Sequence, residues 1–443
     1  MLYNFIKERM MRAPSQVIIE GQRALSFEDV IKQSEEIGKM IRGDKYGLLC
    51  NSCIDSVVYL LACLYSHITV VPLSIQYGQK HIDSIIKAID INNLITDKGI
   101  IGSSKTEEES DYLSDVALIM CTSGTTGVPK GAMITEDNLL TNLTDIDEYF
   151  KKDQSDSILI ARPIYHCAVL TGELLISLIK GVRIVFLSEG FVPVNVMKRI
   201  SEDKISVLCG TPTLFYHLSL LNNKSSEKRQ LKTIAVSGEC MTADVAVKMR
   251  NAFPDANIYN VYGLTEASPR VSYLPPEEFD SNPTSVGIPL SSLQVKVEEN
   301  ELCVRGKSVM KGYYRNSEKT NKAIVDGWLH TGDVAEVDEN HRIYIKCRKD
   351  NMIIRAGMNI YPQEIENALK TSSQIKDVLA FGMKKDTVGE KIVVRVVSEL
   401  SKPEIYSVCK EKLPLYELPD EIEIVDSIPR NASGKVIRNA SLN

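Results

Sequence analysis

A segment rich in glycine and hydroxyl side chains, at positions 122–131, has the clearest chemistry in the chain. The residues that could bind phosphate there are Thr122, Ser123, Gly124, Thr125, Thr126, Gly127 and Lys130. Glycines let backbone N–H groups close around an anion, hydroxyls add donors, and the lysine adds a positive charge. The segment follows a predicted strand, Val116–Cys121, and precedes a predicted helix capped by Thr135. The sequence therefore predicts a loop that holds a polyphosphate.

The residues beside the candidate lysines argue against two common nucleotide loops. A Walker A loop requires a lysine followed by serine or threonine, whereas Lys130 is followed by Gly131. Lys435 is followed by Val436 and fails the same test. The chain also lacks the G-x-G-x-x-G pattern of a dinucleotide site. Neither a P-loop NTPase nor a dinucleotide-binding enzyme is predicted.

Charge and hydropathy argue against two broad classes of protein. The formal net charge is -6 and the basic residues are dispersed, which is atypical of a nucleic-acid-binding protein. The most apolar stretch, residues 56–73, is interrupted by polar residues and a proline, so a buried helix and strand are predicted there. The amino terminus has no apolar run of signal-peptide length. We expect a cytoplasmic protein without a membrane span.

The cysteines favour a reducing compartment. There are ten, at irregular spacing, and only Cys50 and Cys53 form a C-x-x-C pair. A zinc site would need a second pair or nearby histidines, and a redox site would need a thioredoxin-like setting. Neither accompanies this pair, so we interpret it as structural.

The order of apolar runs predicts an α/β fold. Candidate strands over the first 260 residues are Tyr46–Cys50, Thr69–Leu73, Val116–Cys121, Ser157–Ala161, Arg183–Leu187, Ile205–Cys209, Thr233–Val236 and Asn257–Asn260. Candidate helices between them include Ile54–Tyr65, Lys80–Ile89, Glu136–Phe150, Gly172–Lys180 and Ala243–Ala252. This alternation predicts parallel sheets covered by helices, with ligands at the carboxyl ends of strands. Short strands over 285–345 predict a small β unit, and a compact α+β pattern follows residue 348.

Five further motifs follow the phosphate loop along the chain. They are Ser237-Gly238-Glu239, Tyr262-Gly263-Leu264-Thr265-Glu266, the stretch from Trp328 to Asp333, the stretch from Arg348 to Glu366, and the stretch from Pro429 to Lys435. Together they resemble the adenylate-forming (AMP-binding) superfamily of acyl-CoA synthetases, peptide-synthetase adenylation domains and luciferases. The resemblance covers nearly the whole chain. It implies a large N-terminal domain of two helix-covered sheets plus a small β-barrel at 1–347, a hinge at 348–350, and a small mobile α+β domain at 351–443.

The resemblance also implies roles for the motif residues. ATP would be bound by the phosphate loop together with Ser237, Gly238, Glu239, Tyr262, Gly263, Asp333 and Arg348. Tyr262 would stack on adenine and Thr265 would touch the α-phosphate. Glu266 would help to hold Mg²⁺. Asp333 would accept from the ribose hydroxyls, supported by Arg348.

The C-terminal motifs imply a two-step reaction. Lys435 would enter the site for the first step, in which a carboxylate attacks the α-phosphate of ATP and forms an acyl-AMP. The domain would then turn about Asp350, and Gly357 would let a pantetheine arm approach. The cofactors implied are ATP, Mg²⁺, and CoA or the phosphopantetheine of a carrier protein.

The segment 163–168 indicates the kind of acid. It holds His166, a candidate acyl-pocket and catalytic residue whose alternative role is that of a core histidine, and it contains no aspartate for a substrate ammonium. A non-amino, aryl or acyl acid is therefore favoured. The sequence thus predicts an AMP-forming acid:CoA ligase. Two alternatives remain: a stand-alone adenylation enzyme that loads a carrier protein, favoured by the short chain, and a non-catalytic nucleotide sensor, which the presence of Lys435, Glu266 and Asp333 disfavours.

Overall fold

The computed structural model describes residues 1–50, 53–76, 78–96, 99–102, 110–122, 130–222, 231–355, 358–385, 389–430 and 436. Its strands form four sheets. In chain order they are β1 Val17–Glu20, β2 Arg23–Ser26, β3 Lys45–Cys50, β4 Thr69–Ser74, β5 Asn93–Thr96, β6 Gly99–Gly102, β7 Val116–Thr122, β8 Lys130–Thr135, β9 Ser157–Ile160, β10 Arg183–Phe186, β11 Val207–Gly210, β12 Thr233–Val236, β13 Asn257–Gly263, β14 Arg270–Leu274, β15 Ile288–Pro289, β16 Leu293–Glu298, β17 Glu301–Gly306, β18 Gly312–Tyr313, β19 Ile324–Val325, β20 Trp328–Val337, β21 Ile343–Arg348, β22 Ile353–Arg355, β23 Met358–Ile360, β24 Ile375–Lys385, β25 Gly389–Ser398 and β26 Glu421–Ile424.

The helices alternate with the strands. They are α1 Leu2–Met10, α2 Phe27–Gly38, α3 Ile54–Tyr65, α4 Gln79–Ile89, α5 Ser110–Leu113, α6 Glu136–Tyr149, α7 Cys167–Val169, α8 Ile176–Lys180, α9 Pro193–Glu202, α10 Pro212–Asn222, α11 Ala243–Ala252, α12 Ser317–Ala323, α13 Pro362–Lys370 and α14 Lys402–Lys412. A π-helical segment, Leu170–Leu175, joins α7 to α8. Short 3₁₀ turns include Thr265–Ala267 and Lys349–Asn351.

Two large sheets form the body of the protein. One has nine strands in the order β15-β14-β13-β12-β11-β9-β10-β1-β2, and its six strands from β13 to β1 run parallel. The other has seven strands in the order β18-β8-β7-β4-β3-β5-β6, with a parallel centre and antiparallel edges. The central strands read as continuous apolar runs because parallel sheets are buried on both faces. This confirms the α/β fold class.

Two smaller sheets follow. Strands β16, β17, β20, β19 and β21 form an antiparallel sheet, the small β unit that the sequence predicts. Strands β22 to β26 form a mixed sheet with its own apolar core beneath α13 and α14. A separate core of this kind is typical of a domain. The 3₁₀ turn Lys349–Asn351 lies between β21 and β22 and overlaps the segment 348–350, where a hinge is predicted.

Most predicted elements appear in the structure, and several bounds are corrected. Helices α3 and α11 and strand β12 have the predicted bounds. The strand predicted at 205–209 covers Val207–Gly210, and the helix predicted at 172–180 begins as a π-helical segment. Helices α1, α2, α9 and α10 are present in the structure but are not among the predicted helices.

The cap at Thr135 is confirmed. Its hydroxyl accepts the backbone N–H of Asn138 at 3.0 Å, and the Asn138 side chain accepts the N–H of Thr135 at 2.9 Å. This reciprocal pair satisfies two N–H groups at the start of α6. It therefore fixes where α6 begins after β8.

The prediction from the fold concerns Gly287, which lies where the nine-stranded sheet meets the small β unit. Its φ is +74°, and an added Cβ would lie 1.9 Å from the carbonyl oxygen of Tyr273. We expect Gly287→Ala to lower the free energy of unfolding by about 3 kcal/mol, because strain and a backbone clash add. Denaturant unfolding followed by circular dichroism measures the effect.

Gly327→Ala is the matched control. The φ of Gly327 is +77°, but an added Cβ would meet only the Cδ of Arg305, at 3.9 Å. Its cost should be about 1 kcal/mol, from backbone strain alone. Equal losses in the two variants would contradict the clash at Gly287.

Candidate functional site

The phosphate loop connects two antiparallel strands. β7 ends at Thr122 and β8 begins at Lys130, and these two residues are paired across the hairpin. The predicted passage from strand to loop to helix therefore lacked a strand, since β8 comes before α6. Residues 123–129, with Ser123, Gly124, Thr125, Thr126 and Gly127, lie outside the described residues. The hairpin brings both ends of the loop to one place.

Tyr313 connects Lys130 with Glu266. Strand β18 pairs with β8 and so places the Tyr313 ring 5.4 Å from the Nζ of Lys130. The Tyr313 hydroxyl donates to the Oε1 of Glu266 at 2.9 Å. Burial and the Glu266 carboxylate raise the pKa of Tyr313, which keeps it a donor. A positive charge and a carboxylate thus lie on two sides of one phenol.

Glu266 lies in the 3₁₀ turn Thr265–Ala267, directly after β13. The turn is held by its backbone, because the Glu266 carbonyl accepts the N–H of Met310 at 2.9 Å. Gly263 precedes the turn, and an added Cβ there would lie 2.0 Å from the Pro269 carbonyl oxygen. Only glycine allows this close passage of two backbone segments.

Tyr262, Asp333 and Arg348 form a second polar group. The Tyr262 hydroxyl donates to the Oδ2 of Asp333 at 2.5 Å, and the Nη1 of Arg348 lies 3.1 Å from the Oδ1. Burial and the charge of Asp333 raise the pKa of Tyr262, so this phenol is neutral. Tyr262 lies inside β13, which extends past the predicted end at residue 260.

Asp333 lies inside the long strand β20, beside a glycine in the left-handed region. The φ of Gly332 is +71°, and an added Cβ would lie 2.9 Å from the Nη2 of Arg348. Arg348 also donates from Nη1 to the carbonyl of Thr331 at 2.9 Å. The Arg348 charge acts on Tyr262, Glu266 and Tyr313, so the two polar groups interact electrostatically.

The turn Ser237-Gly238-Glu239 follows β12. The Oγ of Ser237 is buried and has no hydrogen-bond partner in the part of the chain that is described, and the φ of Gly238 is +92°. The Oε2 of Glu239 accepts the hydroxyl of Thr213 at 2.7 Å, and its Oε1 lies 4.0 Å from the Nη1 of Arg430. Glu239 therefore contacts α10 and the C-terminal segment.

His166 precedes α7, and its Nε2 is buried without a hydrogen-bond partner among the described residues. Its ring lies 4.2 Å from the Tyr165 ring, measured between centroids. Burial, together with the charge of Arg162, lowers the pKa of His166 to about 4, so the imidazole is neutral at pH 7. An unsatisfied Nε2 distinguishes it from a core histidine with all its hydrogen bonds made.

The C-terminal candidates are partly described. Asp350 is exposed in the 3₁₀ turn Lys349–Asn351, while Gly357 and Lys435 lie outside the described residues. Arg430 pairs with Asp377 at 2.8 Å and forms a β-bridge with Val436.

The remaining residues singled out from the sequence, Thr265 and the pair Cys50 and Cys53, make few side-chain hydrogen bonds. No side-chain hydrogen bond of Thr265 occurs within the described ranges. Of the C-x-x-C pair, the side chain of Cys50 is not described, whereas Cys53 lies 3.3 Å from the Ser56 hydroxyl.

Sequence reasoning missed four residues of this region. Tyr313 lies far from every motif and enters through a two-residue strand. Arg162, Glu173 and Arg270 are buried charges. Their one signal in the sequence was a charge inside an apolar run, which predicts a paired or functional group.

Comparison with known proteins identifies the class. Residues 102–314 match the family described as AMP-binding enzyme, and residues 364–435 match the AMP-binding enzyme C-terminal domain. A long-chain-fatty-acid–CoA ligase of Haemophilus influenzae is 30% identical over 393 residues, which cover 82% of this chain and 68% of that protein. A further long-chain ligase, of Salmonella typhimurium, is 31% identical, and the match spans 61% of its length.

Other relatives match over nearly their whole length. A 2-succinylbenzoate–CoA ligase of Bacillus licheniformis is 27% identical, with 98% of each chain covered. The fold matches o-succinylbenzoate CoA synthetase (MenE) of Bacillus subtilis, solved with its acyl-adenylate intermediate, at a TM-score of 0.86 and 24% identity, covering 99% of this chain and 98% of that one.

The chain belongs to the AMP-binding enzyme family. As an enzyme it is an AMP-forming acid–thiol ligase of the acyl-CoA synthetase type, with two domains in the order that the resemblance implies. In the described residues, no helix combines the length and apolar character needed to cross a bilayer.

The prediction from the site concerns the stability of the protein in acid. The folded-state pKa of His166 is lowered from 6.5 to about 4, so the unfolded chain binds a proton between these values that the folded protein does not. The stability contributed by this group is therefore complete above about pH 6.5 and falls as the pH approaches 4. We expect His166→Asn to lose less stability over this window, as measured by thermal unfolding at a series of pH values.

His341→Asn is the control, because His341 is exposed. This variant should follow the wild-type dependence on pH. If His166→Asn also followed it, His166 would not be held neutral by burial.

Proposed function

We propose that this enzyme activates a non-amino carboxylic acid with ATP and transfers the acyl group to the thiol of CoA. The observation that carries the proposal is the convergence of Lys130, Glu266, Asp333 and Arg348 around two phenols, the buried Tyr313 and the half-buried Tyr262. These side chains come from the phosphate hairpin, the turn after β13, and the small β unit. Such a group can hold a triphosphate at one end and a ribose at the other.

The proposed phosphate end consists of Lys130, the loop that precedes it, and Glu266. One oxygen of Glu266 accepts from Tyr313, and in the described part of the chain its other oxygen has no hydrogen bond. A single free carboxylate oxygen fits Mg²⁺, which takes one or two carboxylates together with phosphate oxygens and waters. When bound, Mg²⁺ would neutralise phosphate charge. Lys130 would hold the leaving pyrophosphate.

The proposed ribose end is Asp333. Each carboxylate oxygen can accept two hydrogen bonds, so both ribose hydroxyls fit beside the donors Tyr262 and Arg348. The Tyr262 hydroxyl is fixed by Asp333, which leaves its ring face for the adenine. Ser237, with its unpartnered hydroxyl, and Gly238 would flank the base.

In the first step the substrate carboxylate attacks the α-phosphorus of ATP. An oxygen–phosphorus bond to the acid forms, the bond to the β-phosphate oxygen breaks, and pyrophosphate leaves. No base is needed, so the protein contributes orientation and positive charge. We assign the charge at the α-phosphate to Lys435 and a polar contact there to Thr265. The approach of Arg430 to Glu239 supports this assignment, because Arg430 precedes Lys435 by five residues in the sequence and lies near the turn Ser237-Gly238-Glu239.

In the second step the thiolate of CoA attacks the acyl carbonyl, a thioester forms, and AMP leaves. We propose that the C-terminal domain, 351–443, turns about Asp350 between the steps and brings Gly357 toward the site. The exposed position of Asp350, in a short turn between two domain cores, supports a hinge. Domain rotation of this kind exchanges catalytic groups between two reactions.

CoA is favoured as the acceptor over a carrier protein, because similar proteins, such as the long-chain-fatty-acid and 2-succinylbenzoate ligases, form CoA thioesters. The acid is proposed to be non-amino, because positions 163–170 carry no carboxylate for a substrate ammonium. A cytoplasmic location is also proposed. It is supported by the cysteines, since none of the nine that are described forms a disulfide.

The test is ATP–pyrophosphate exchange over a panel of carboxylic acids, followed by thioester formation with CoA or with a phosphopantetheinyl carrier protein. Exchange that depends on one class of acid, followed by transfer to CoA, is the expected result. Transfer to the carrier protein alone would instead identify a loading enzyme. ATP binding without exchange for any acid would identify a sensor.

Lys435→Ala tests the first step. We expect adenylation to fall by two or more orders of magnitude, about 1.4 kcal/mol of barrier for each tenfold. Thioester formation from presynthesised acyl-AMP should be largely retained, because the lysine is needed only while the α-phosphate reacts. The exposed Lys402, changed to alanine, is the control. Equal losses in both half-reactions would refute the role.

Asp350→Pro tests the hinge. Proline fixes φ near −65°, a value that suits the observed 3₁₀ turn but prevents rotation there. Pyrophosphate exchange should persist while thioester formation falls at least about tenfold. Asp350→Ala removes the same side chain and leaves φ free, so it separates rotation from charge. A proline variant with normal thiol transfer would contradict the hinge.

A further inference from the structure

A buried group of charges lies beside the π-helical segment Leu170–Leu175. Glu173, in this segment, is fully buried, and the Nη2 of Arg162 donates to its Oε1 at 2.6 Å. The charges of Arg162, Arg270 and Lys152 act on the Glu173 carboxylate, and all four charges act on the buried thiol of Cys209. Segments of π-helix are frequent at functional sites.

Positive charge exceeds negative charge in this group. Three cations, Arg162, Arg270 and Lys152, act on the carboxylate of Glu173, which is already hydrogen-bonded to Arg162. A second carboxylate, that of Asp156, acts on Lys152. Burial lowers the pKa of Lys152 to about 8, so lysine can lose part of its charge. An arginine cannot, because it stays protonated in proteins. An additional anion would therefore stabilise the group.

Arg270 is the cation without an assigned partner. It is 3% exposed, and in the described part of the chain its guanidinium makes no hydrogen bond or ion pair. Its backbone is held by the buried Asn142, which accepts the N–H of Arg270 at 3.2 Å and donates to its carbonyl at 2.8 Å. Burying a charge without a partner is expensive, so a retained buried arginine suggests a ligand.

The position of Arg270 relates it to the site of acid activation. It is paired with Gly263 across β13 and β14 and follows Glu266 by one short turn. Both Arg270 and Glu266 act electrostatically on the thiol of Cys167, the neighbour of His166. Arg270 thus follows the Glu266 turn and acts on Cys167, the first residue of α7, beside the segment that is proposed to line the acid pocket.

Gly172 leaves room for the guanidinium. An added Cβ at this position would lie 2.7 Å from the Nη2 of Arg270. Gly172 belongs to the π-helical segment, next to Glu173. Any side chain there would displace the guanidinium from its place between the segment and β14. The glycine therefore helps to set where the positive charge is presented.

From these contacts we infer that Arg270 binds a second anionic group on the acid substrate, so that the enzyme activates dicarboxylic acids. This inference rests on the proposed function. One carboxylate attacks ATP while the other pairs with Arg270, for which the planar guanidinium is suited. His166, on which the charge of Arg162 acts, has a buried Nε2 without a hydrogen-bond partner among the described residues. A simple fatty acid would leave the arginine buried without an anion.

The test compares each dicarboxylic acid with its mono-amide, which has nearly the same shape but lacks the second charge. Pyrophosphate exchange is measured for short aliphatic, longer aliphatic and aryl diacids and for their mono-amides. We expect wild-type enzyme to prefer a diacid. In Arg270→Leu, the ratio of kcat/KM for the diacid to kcat/KM for its mono-amide should fall about 10- to 100-fold, the usual effect of one charged hydrogen bond.

Arg270→Lys and Arg270→Gln accompany the leucine variant, and circular dichroism checks that each is folded. The lysine variant should retain part of the preference, because it keeps the charge. The glutamine variant should lose the preference, because it keeps only polarity. Arg305→Leu is the matched control, since Arg305 is an exposed arginine of the small β unit.

The outcomes separate the two proposals. A wild-type preference for uncharged acids, or a ratio that stays unchanged in the leucine and glutamine variants, would overturn the inference and leave the proposed function intact. The comparison within wild-type enzyme decides the question even if a variant does not fold. If no acid supported exchange, the proposed function and this inference would both be wrong.

Discussion

The hydrogen bond from Tyr313 to Glu266 connects the parts of the chain on which the site depends. The tyrosine comes from a two-residue strand that pairs with β8, so it belongs to the hairpin of the phosphate loop. The glutamate comes from the turn after β13 in the other large sheet. Because the phenol is buried and stays protonated, it fixes one carboxylate oxygen, and the other makes no hydrogen bond within the described residues. The two large sheets therefore meet at Glu266, the proposed ligand of Mg²⁺.

The balance of charge differs between two regions of the site, the surroundings of Asp333 and those of the π-helical segment. Around Asp333 the carboxylate is surrounded by donors, from a phenol and a guanidinium, and this suits a neutral diol. Around the π-helical segment the balance is reversed, because three cations act on the carboxylate of Glu173. A buried excess of positive charge costs free energy unless an anion offsets it. The two halves would accordingly select different chemical groups.

Local sequence predicted what depends on short-range patterns. Helices α3 and α11 follow from apolar spacing, and the start of α6 follows from Thr135 and Asn138. Pairings between distant segments were not predictable in this way. Strand β8 was missed because glycines and a proline obscured its beginning. Tyr313 and Arg270 act through contacts with residues remote in sequence, and a single chain carries no signal for such contacts.

Arg348 has a position that relates nucleotide binding to domain orientation. Arg348 is the last residue of β21, and its side chain donates to Asp333. Asp350 follows it by two residues in the sequence. A bound nucleotide that stabilised the hydrogen bond between Arg348 and Asp333 would also restrict the backbone that precedes the proposed hinge. The angular freedom of the C-terminal domain would then vary with what occupies the ribose position. By thermodynamic reciprocity, each domain orientation would have its own affinity for ATP and for AMP.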